Sequence, residues 1–450
     1  MSKANEATPV PVCSTAKQTG ETPPQEWKWV ERSIWTERML EALHRGVKGG
    51  VWFSLIDKVM RVSTLRLAWQ KVAANGGSAG TDHQSLADFA ANLEENLSKL
   101  AEELRTGTYR PRPIRRVYID KPGSSEKRPL GIPAVRDRVV QGAIRLVLEP
   151  ILEKEFLPCS FGFRPGRGCK DALRRVDQLL RAGYLYVVDA DIKAYFDSIP
   201  QDRLMTELRR WVADGRILSL VEQYLEQEIW DGLAKWRPEA GTPQGAVLSP
   251  LLANLYLHPV DAALTETGYI MVRYADDLVI LSRSLVGAEA ALALLQNLLT
   301  ERGLTLHPQK TRIANLEVPG DGFDFLGYHF TRSGRTGRLT RWPRRKSLQK
   351  FKDRLRGQTK RSSGQSLLEI VDSVNKTTQG WFEYFKHSNK YTFSRLDQWL
   401  RRRLRSLLRK RSKRRGISRG QDHQRWPNQF FRELGLFSLV EAHAALFQSS

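Results

Sequence analysis

The sequence predicts an α+β protein built from several domains. Its 450 residues, of which 41% are hydrophobic, suffice for roughly two to four domains and a sizeable core. Helical and strand patterns follow one another without strict alternation, which favours α+β over a doubly wound α/β fold. No internal repeat is apparent.

The N-terminal half predicts a tail, a helix and a hairpin. Residues 1–33 are rich in Pro, Thr, Ser and Lys and are predicted to be a disordered tail, and the tryptophans that follow from Trp27 are expected to dock onto the body. Apolar residues at spacings of three and four predict one helix over 85–105, with Ser85 as N-cap and Gly107 as stop. Residues 113–119 and 128–132 predict a hairpin with basic residues at its tip.

The remaining elements follow in chain order. A strand is predicted at 184–192 and a second hairpin at 270–281. The predicted helices are 137–155, 248–257, 286–301 and 394–414.

The formal net charge of +23 indicates a polyanionic partner, because neutralising phosphates releases counterions. Residues 341–420 contain 25 basic and 5 acidic residues, so the remainder of the chain is close to neutral. This asymmetry predicts a catalytic part and a basic part that binds nucleic acid. A merely soluble basic protein is the alternative.

The composition argues against several other classes of protein. The three cysteines form no pair with zinc or disulfide spacing, which fits a reducing cytoplasm. No apolar run approaches the length of a membrane span, so no membrane partner is expected. The N-terminus has no apolar signal core.

Two pairs of carboxylates predict a metal site. Asp276 and Asp277 stand between two apolar runs, at the expected tip of a hairpin, and Asp189 and Asp191 share one face of the predicted strand 184–192. Three carboxylates around two Mg²⁺ ions, with Mn²⁺ as a possible substitute, would suit phosphoryl transfer. Taken alone, an Asp-Asp pair equally fits a turn or a helix cap.

Several segments resemble the motifs of reverse transcriptases and occur in that family's order. They are residues 128–133, 160–167, 191–197, 242–250, 274–277 and 325–328. These versions are most similar to group II intron-encoded reverse transcriptases, or maturases. The resemblance implies a right-hand polymerase with fingers and an N-terminal extension at 34–178, a palm at 179–335, a basic helical thumb or maturase domain at 336–414, and a short DNA-binding-like segment at 415–450.

The resemblance also implies a set of metal ligands. Asp191, Asp276 and Asp277 would be the catalytic carboxylates, and Ile192 would lend its backbone carbonyl to one ion. Asp189 does not match the family's metal position and is interpreted as a structural or outer residue.

By the same resemblance, five residues would bind the incoming nucleotide. Lys121 and Arg128 would clamp the triphosphate, with Lys127 as the rival to Arg128. Phe196 would exclude a 2′-OH unless it is a core aromatic, and Gln244 would line the pocket. Lys310 would lie near the leaving pyrophosphate unless it is an ordinary surface lysine.

Other residues match segments that contact primer and template. Phe325, Leu326, Gly327 and Tyr328 resemble the hairpin that grips the primer, and the segment containing Arg164 resembles one that contacts the template. Gly245 would let the backbone approach closely.

The C-terminal region resembles the maturase-specific region, a helical thumb that also binds intron RNA. Trp381, Tyr384 and Phe385 are expected in the thumb core. The helix 394–414 is amphipathic, and a solvated charged face is the alternative to the RNA contacts predicted for it. The predicted RNA-binding residues are Arg401, Arg402, Arg405, Arg409 and Lys410. The chain carries no cysteine–histidine set for the HNH endonuclease that often follows in this family, so second-strand cleavage is not expected.

The resemblance implies an RNA-directed DNA polymerase that binds its intron RNA and promotes splicing and mobility by target-primed reverse transcription. Its expected partners are group II intron RNA, an RNA template with a DNA primer, target DNA and dNTPs. A monomer or homodimer in the bacterial cytoplasm, associated with the nucleoid, is expected. Retron, diversity-generating and CRISPR-associated reverse transcriptases, and a splicing-only RNA-binding maturase, are the alternatives.

Overall fold

The computed structural model describes residues 27–47, 50–120, 127–414 and 416–448. Most of the predicted tail, residues 1–26, lies outside this range. Trp27 and Val30, which lie in the described part, are buried in the main hydrophobic cluster. The predicted end of the disordered tail at residue 33 is therefore wrong. The helices of the N-terminal part are α1 Glu37–Arg45, α2 Ile56–Val59, α3 Val62–Asn75, α4 Leu86–Ala91, α5 Leu93–Thr106, α6 Val135–Glu155 and α7 Cys169–Arg181.

The helix predicted over 85–105 is interrupted. Ser85 caps α4 and Gly107 ends α5 in the left-handed conformation, as predicted, but Asn92 leaves the helical conformation between them. The side-chain amide of Asn96 donates to the Phe89 carbonyl, supplying a bond to the interrupted end. Because both helices bury the same apolar stripe, the spacing of the leucines does not reveal the break.

A four-stranded sheet forms the fingers. Strands β1 Ile114–Asp120 and β2 Lys127–Ile132 form the predicted hairpin. A second, short hairpin of β4 Ile229–Trp230 and β5 Lys235–Trp236 extends it in the order β2-β1-β4-β5. The tip of the first hairpin, residues 121–126, lies outside the described range.

The palm is a second sheet, in the order β6-β7-β3-β8, and all of its strand pairs are antiparallel. Its two faces bury separate hydrophobic clusters. Successive residues of β3 pack into opposite clusters, with Val187 in one and Val188 in the other. The strands are β3 Tyr186–Asp191, β6 Ile270–Tyr274, β7 Asp277–Ser282 and β8 Arg312–Asn315; the helices of this region are α8 Tyr195–Ser198, α9 Gln201–Arg209, α10 Gly215–Leu225, α11 Ser249–Glu266 and α12 Leu285–Glu301.

A third sheet connects the palm to a helical thumb. Its strands are β9 Gly322–Phe325, β10 Tyr328–Arg332 and β11 Leu339–Pro343. The thumb helices are α13 Arg345–Gln358, α14 Leu367–Phe385 and α15 Lys390–Arg411, and after them come α16 Gly420–Arg425, α17 Asn428–Glu433 and α18 Leu439–Gln448. Trp426, Phe431 and Leu439 pack into the same cluster as the thumb helices, so the C-terminal segment shares the thumb core. Among the described residues, no helix is long and apolar enough to cross a membrane.

Candidate active site

The register of the palm sheet brings two of the predicted carboxylates together. Asp191 is the last residue of β3, Asp277 is the first of β7, and the two lie directly opposite each other. Facing residues of an antiparallel pair point to the same side, with Cβ atoms about 4.5–5.5 Å apart. Asp276 occupies the turn that precedes β7. The sequence predicted this convergence, and the structure provides it.

A buried arginine that is not among the predicted site residues supports the turn. Arg273 is 1% exposed, and its Nε donates to Asp261 Oδ1 at 2.8 Å. One of its terminal nitrogens donates to Asn254 Oδ1 at 2.9 Å and to the Ala275 carbonyl at 3.0 Å. Ala275 has φ of +60°, a conformation that needs support in a non-glycine residue. Arg273 therefore links the β6–β7 turn to α11.

A loop from the fingers packs against the same turn. A Cβ on Gly162 would collide with the Ala275 amide nitrogen, so only glycine fits there. Its neighbour Phe163 has φ of +59° and is 41% exposed. The Phe163 ring centroid lies 6.4 Å from that of Phe196 and 6.3 Å from that of Tyr274. Phe163 lies in the 160–167 motif but, like Arg273, is not among the residues predicted for the site.

The template-contact prediction is wrong for the side chain of Arg164. That side chain is 2% exposed and pairs with Glu153 at 2.7 Å. It also donates to the carbonyls of Phe156, Leu157 and Ser160 at 2.6–3.1 Å. The hydrogen-bond donors of Arg164 thus hold the loop that carries Phe163.

Nearby positive charge does not fully compensate the burial of two of the carboxylates, Asp276 and Asp277. Burial raises the pKa of Asp277 to about 7, and the charges of Asp189 and Asp276 act in the same direction. Burial also raises the pKa of Asp276, reinforced by Asp191 and opposed by Arg128 and Lys310. A bound cation reverses such shifts, because it favours the ionised carboxylates.

Lys310 belongs to this site rather than to an unrelated surface. Its Nζ lies 2.8 Å from Asp191 Oδ2. Among the described residues, no three acidic, histidine or cysteine side chains converge as a ready-made metal cage. The chemistry of the donors nevertheless fits Mg²⁺ or Mn²⁺, since all are hard carboxylate oxygens.

The residues predicted to bind the nucleotide lie beside the carboxylates where they are described. Arg128 is exposed on β2, and its charge lowers the pKa of both Asp276 and Asp197, although burial raises each overall. Gln244 Nε2 donates to Asp197 Oδ2 at 2.9 Å. Phe196 is half-buried and packs edge-on against Tyr195 and Phe163. Lys121 lies outside the described residues.

Gly245 allows the fingers hairpin and the 242–246 loop to pack backbone to backbone. Its φ is +106°, and a Cβ there would collide with the Gly131 carbonyl oxygen. The Gly131 amide in turn donates to the Gln244 carbonyl at 2.7 Å. The close approach predicted for Gly245 is therefore present, and the backbone that it meets is that of strand β2.

Replacing Gly245 by alanine is expected to separate the hairpin from this loop. The left-handed conformation alone costs a non-glycine residue about 1–3 kcal/mol, and the collision adds to this. We expect kcat/KM for dNTPs in primer extension to fall roughly tenfold or more. Gly166→Ala is the matched control, because Gly166 also has positive φ but nothing lies within 4 Å of its Cβ position. Equal effects of the two substitutions would contradict the interpretation.

The turn between β9 and β10 is bonded to the carboxylates and to the thumb. The Leu326 amide donates to Asp277 Oδ2 at 3.4 Å, and the Tyr384 hydroxyl donates to the Leu326 carbonyl at 2.7 Å. Phe325 and Tyr328 are 1% and 2% exposed. Primer contact predicted for these two side chains is therefore wrong, and only the half-buried turn of Leu326 and Gly327 is available to a ligand.

Five basic residues of α15 are predicted to bind RNA, but two of them bind groups of the protein itself. Arg405 is 2% exposed, and it donates to the Trp426 carbonyl and to Asn428 Oδ1, both at 2.8 Å. Arg409 pairs with the buried Asp422 at 3.0 Å. Phosphate contact predicted for these two is wrong, because the α16–α17 segment covers them. Arg401 is half-buried near Asp397, whereas Arg402 and Lys410 are exposed.

Helix α13 carries a basic surface, although all of the predicted RNA-binding residues lie on α15. It directly follows the third sheet and has a single acidic residue, Asp353, which pairs with Arg356. The exposed cations of this surface are Arg344, which precedes the helix, and Arg345, Lys346, Lys350, Arg354 and Arg356 within it. Of the three aromatic residues expected in the thumb core, Trp381 stacks on Phe351 and Phe385, whereas Tyr384 and Phe385 pack into the cluster of the palm and the third sheet.

Two family models match separate parts of this chain. Residues 119–330 match "Reverse transcriptase (RNA-dependent DNA polymerase)". Residues 348–426 match "Group II intron, maturase-specific domain". The first contains the palm with its carboxylates, and the second contains the thumb helices and reaches into the C-terminal segment.

Curated relatives agree with these matches. The group II intron-encoded protein LtrA of Lactococcus lactis is 36% identical over 213 residues, which are 47% of this chain and 35% of the relative. The protein YkfC of Escherichia coli is 33% identical over 56% of this chain and 76% of the relative. This chain thus spans about a third of the length of LtrA. Among solved structures, a chain of the Cas6-RT-Cas1--Cas2 complex covers 55% of this chain at 25% identity, with a TM-score of 0.36 that is too low to bear on function.

The observations on fold and site agree with the family matches. The α+β class is confirmed, and the paired carboxylates lie inside the matched reverse transcriptase region. Most of the basic thumb lies inside the matched maturase region, which begins at residue 348. The chain therefore belongs to the reverse transcriptases that carry a group II intron maturase-specific domain.

Proposed function

We propose that this protein is an RNA-directed DNA polymerase that also binds group II intron RNA and promotes its splicing and mobility by target-primed reverse transcription. The observation that carries the polymerase proposal is the register of Asp191 opposite Asp277, with Asp276 in the adjoining turn. Arg128 and Lys310 add positive charge at the same place, as transfer of a phosphoryl group requires.

Asp191, Asp276 and Asp277 would hold two Mg²⁺ ions, with the Ile192 carbonyl as a further ligand and Mn²⁺ as a possible substitute. The ions would activate the primer 3′-hydroxyl and stabilise charge on the leaving pyrophosphate. Arg128, with Lys121 on the fingers, would orient the triphosphate. Lys310 would release Asp191 to the metal and turn towards the pyrophosphate. Phe196 would pack against the sugar and select dNTPs, and Gln244 would support the base.

The nucleic acid would run from the fingers to the thumb. The Leu326–Gly327 turn would contact the primer, and its hydrogen bond to Asp277 supports a position beside the carboxylates. The exposed cations of α13, with Arg402 and Lys410 on α15, would bind the backbone of the template–primer duplex, the intron RNA or the target DNA. Electrostatic contacts of this kind position a strand without reading its sequence.

Replacing Lys350 and Arg354 together by glutamine is expected to weaken RNA binding and to flatten its salt dependence. Each lost phosphate contact reduces the slope of log K against log salt by about 0.7–0.9. Neither side chain has a carboxylate partner in the described residues. The matched control replaces Arg45 and Arg105, exposed arginines already paired with Glu41 and Glu102. An unchanged slope in the α13 variant would place these cations on a solvated face.

The experiment that tests the proposed function combines two assays on the same preparation. The first is Mg²⁺-dependent primer extension on an RNA template, and the second is splicing of the intron RNA that co-purifies with the protein. Extension without intron RNA binding would favour a retron, diversity-generating or CRISPR-associated enzyme. Splicing without extension would favour a splicing-only maturase. A cytoplasmic, nucleoid-associated location and a monomeric or homodimeric state remain predictions.

A further inference from the structure

The short hairpin of β4 and β5 presents an exposed apolar surface at the edge of the fingers sheet. Leu233 at its tip is 98% exposed, and Trp236 on the edge strand is 36% exposed. Asp231 fixes the turn by accepting from the amides of Leu233 and Ala234 at 3.0 and 2.9 Å. An uncovered strand edge of this kind indicates a binding surface.

Trp236 is paired with a cation rather than with other apolar side chains. The guanidinium carbon of Arg116 lies 5.5 Å from the centroid of the Trp236 ring. Within the described part of the chain, Arg116 Nε is buried without a hydrogen-bond partner. Lys235 and Arg237 are exposed on either side of Trp236 in sequence. An aromatic ring among arginine and lysine is the combination that binds single-stranded nucleic acid, through stacking and phosphate contacts.

The platform of Trp236 and Arg116 adjoins the proposed nucleotide pocket. Arg116 lies opposite Gly131 in the register of β1 and β2, and the Gly131 amide donates to the Gln244 carbonyl at 2.7 Å. The cations of α13 would hold duplex on the thumb side, so the unpaired template would approach from the fingers side. A strand entering the pocket from there passes this edge of the sheet.

We propose that Trp236, backed by Arg116, stacks on an unpaired nucleotide of the template as it enters the nucleotide pocket. This inference rests on the proposed polymerase function and identifies the occupant of the β4–β5 edge as the 5′ overhang of the template. Stacking of one base on an aromatic side chain contributes roughly 5- to 150-fold to affinity. A template with a long overhang should therefore bind more tightly than one with a minimal overhang.

The test measures the affinity of the full-length protein for two primer–template duplexes that differ only in the length of the unpaired RNA overhang. Trp236→Ala is expected to remove most of the preference for the long overhang, roughly tenfold, and to leave affinity for the minimal overhang unchanged. Trp236→Phe should retain the preference because it keeps an aromatic face. Val286→Ala, at an exposed apolar residue of the palm helix α12, should retain it because this side chain lies outside the hairpin.

Three outcomes would overturn the proposal. Trp236→Ala could keep the overhang preference, could lose affinity equally for both duplexes, or could lose affinity only for structured intron RNA. The last outcome would assign the hairpin to intron binding. Because the readout is binding, it does not depend on catalysis. A wild-type protein that makes no cDNA contradicts the proposed function, whereas active polymerase with an unaffected Trp236→Ala variant contradicts only this inference.

Discussion

Replacing Asp276 by alanine is expected to reduce cDNA synthesis roughly 10²–10³-fold, the scale on which single groups that stabilise transition-state charge act. Asp276 lies in the β6–β7 turn, close enough to Asp191 for the two charges to interact. Without it, a metal ion would lose one of its few carboxylate ligands. Primer extension on an RNA template with Mg²⁺ measures the loss.

Asp372→Ala is the matched control, because Asp372 is an exposed thumb carboxylate that pairs with Lys376. This variant should extend primers at the wild-type rate. Affinity for RNA should stay unchanged in Asp276→Ala, since the cations of α13 lie on another element. If Asp276→Ala extends as well as the wild type, the assignment of the catalytic carboxylates is wrong.

Replacing Arg273 by methionine is expected to destabilise the protein by about 3–5 kcal/mol and to inactivate it. The substitution leaves Asp261, 1% exposed, as a buried carboxylate without its partner. It also removes the donor to the Ala275 carbonyl, which supports the turn that carries Asp276 and Asp277. Thermal or denaturant unfolding measures the first effect, and primer extension measures the second.

The double variant Arg273→Met with Asp261→Leu separates these two effects. An apolar pair of similar volume can replace a buried ion pair at little cost, so much of the stability should return. Activity should not return, because the Ala275 carbonyl still lacks its donor. Arg273→Lys keeps the charge but cannot contact Asp261, Asn254 and Ala275 together, and it should be intermediate. Full recovery of activity in the double variant would show that Arg273 acts only through stability.

The palm and its carboxylates were predictable because local patterns specify them. Apolar runs on both sides of Asp276 and Asp277 specify a hairpin, and a strand with Asp191 at its end must pair somewhere in the same sheet. The pairing of Lys310 with Asp191 spans 119 residues and depends on the fold as a whole. The family resemblance suggested only that Lys310 lies near the leaving pyrophosphate.

The wrong assignments concern long basic or aromatic side chains whose burial the sequence pattern does not report. Arg405 follows the charged pattern of α15, yet a later segment of the chain covers it. Arg164 stands in a Gly- and Pro-rich loop that reads as surface, yet it binds Glu153 and three carbonyls. One signal was available for Arg273: a charged residue inside an otherwise apolar strand is rarely buried without a partner.

The measurement that tests the central claim most directly is addition of a single deoxynucleotide to a DNA primer annealed to an RNA template. The account predicts that the wild-type protein adds the complementary dNTP in the presence of Mg²⁺ and stops when the metal is chelated. It also predicts that a ribonucleotide is a poor substitute, because Phe196 would exclude the 2′-OH. Failure to extend the primer, by a protein that still binds its intron RNA and promotes splicing, would contradict the account.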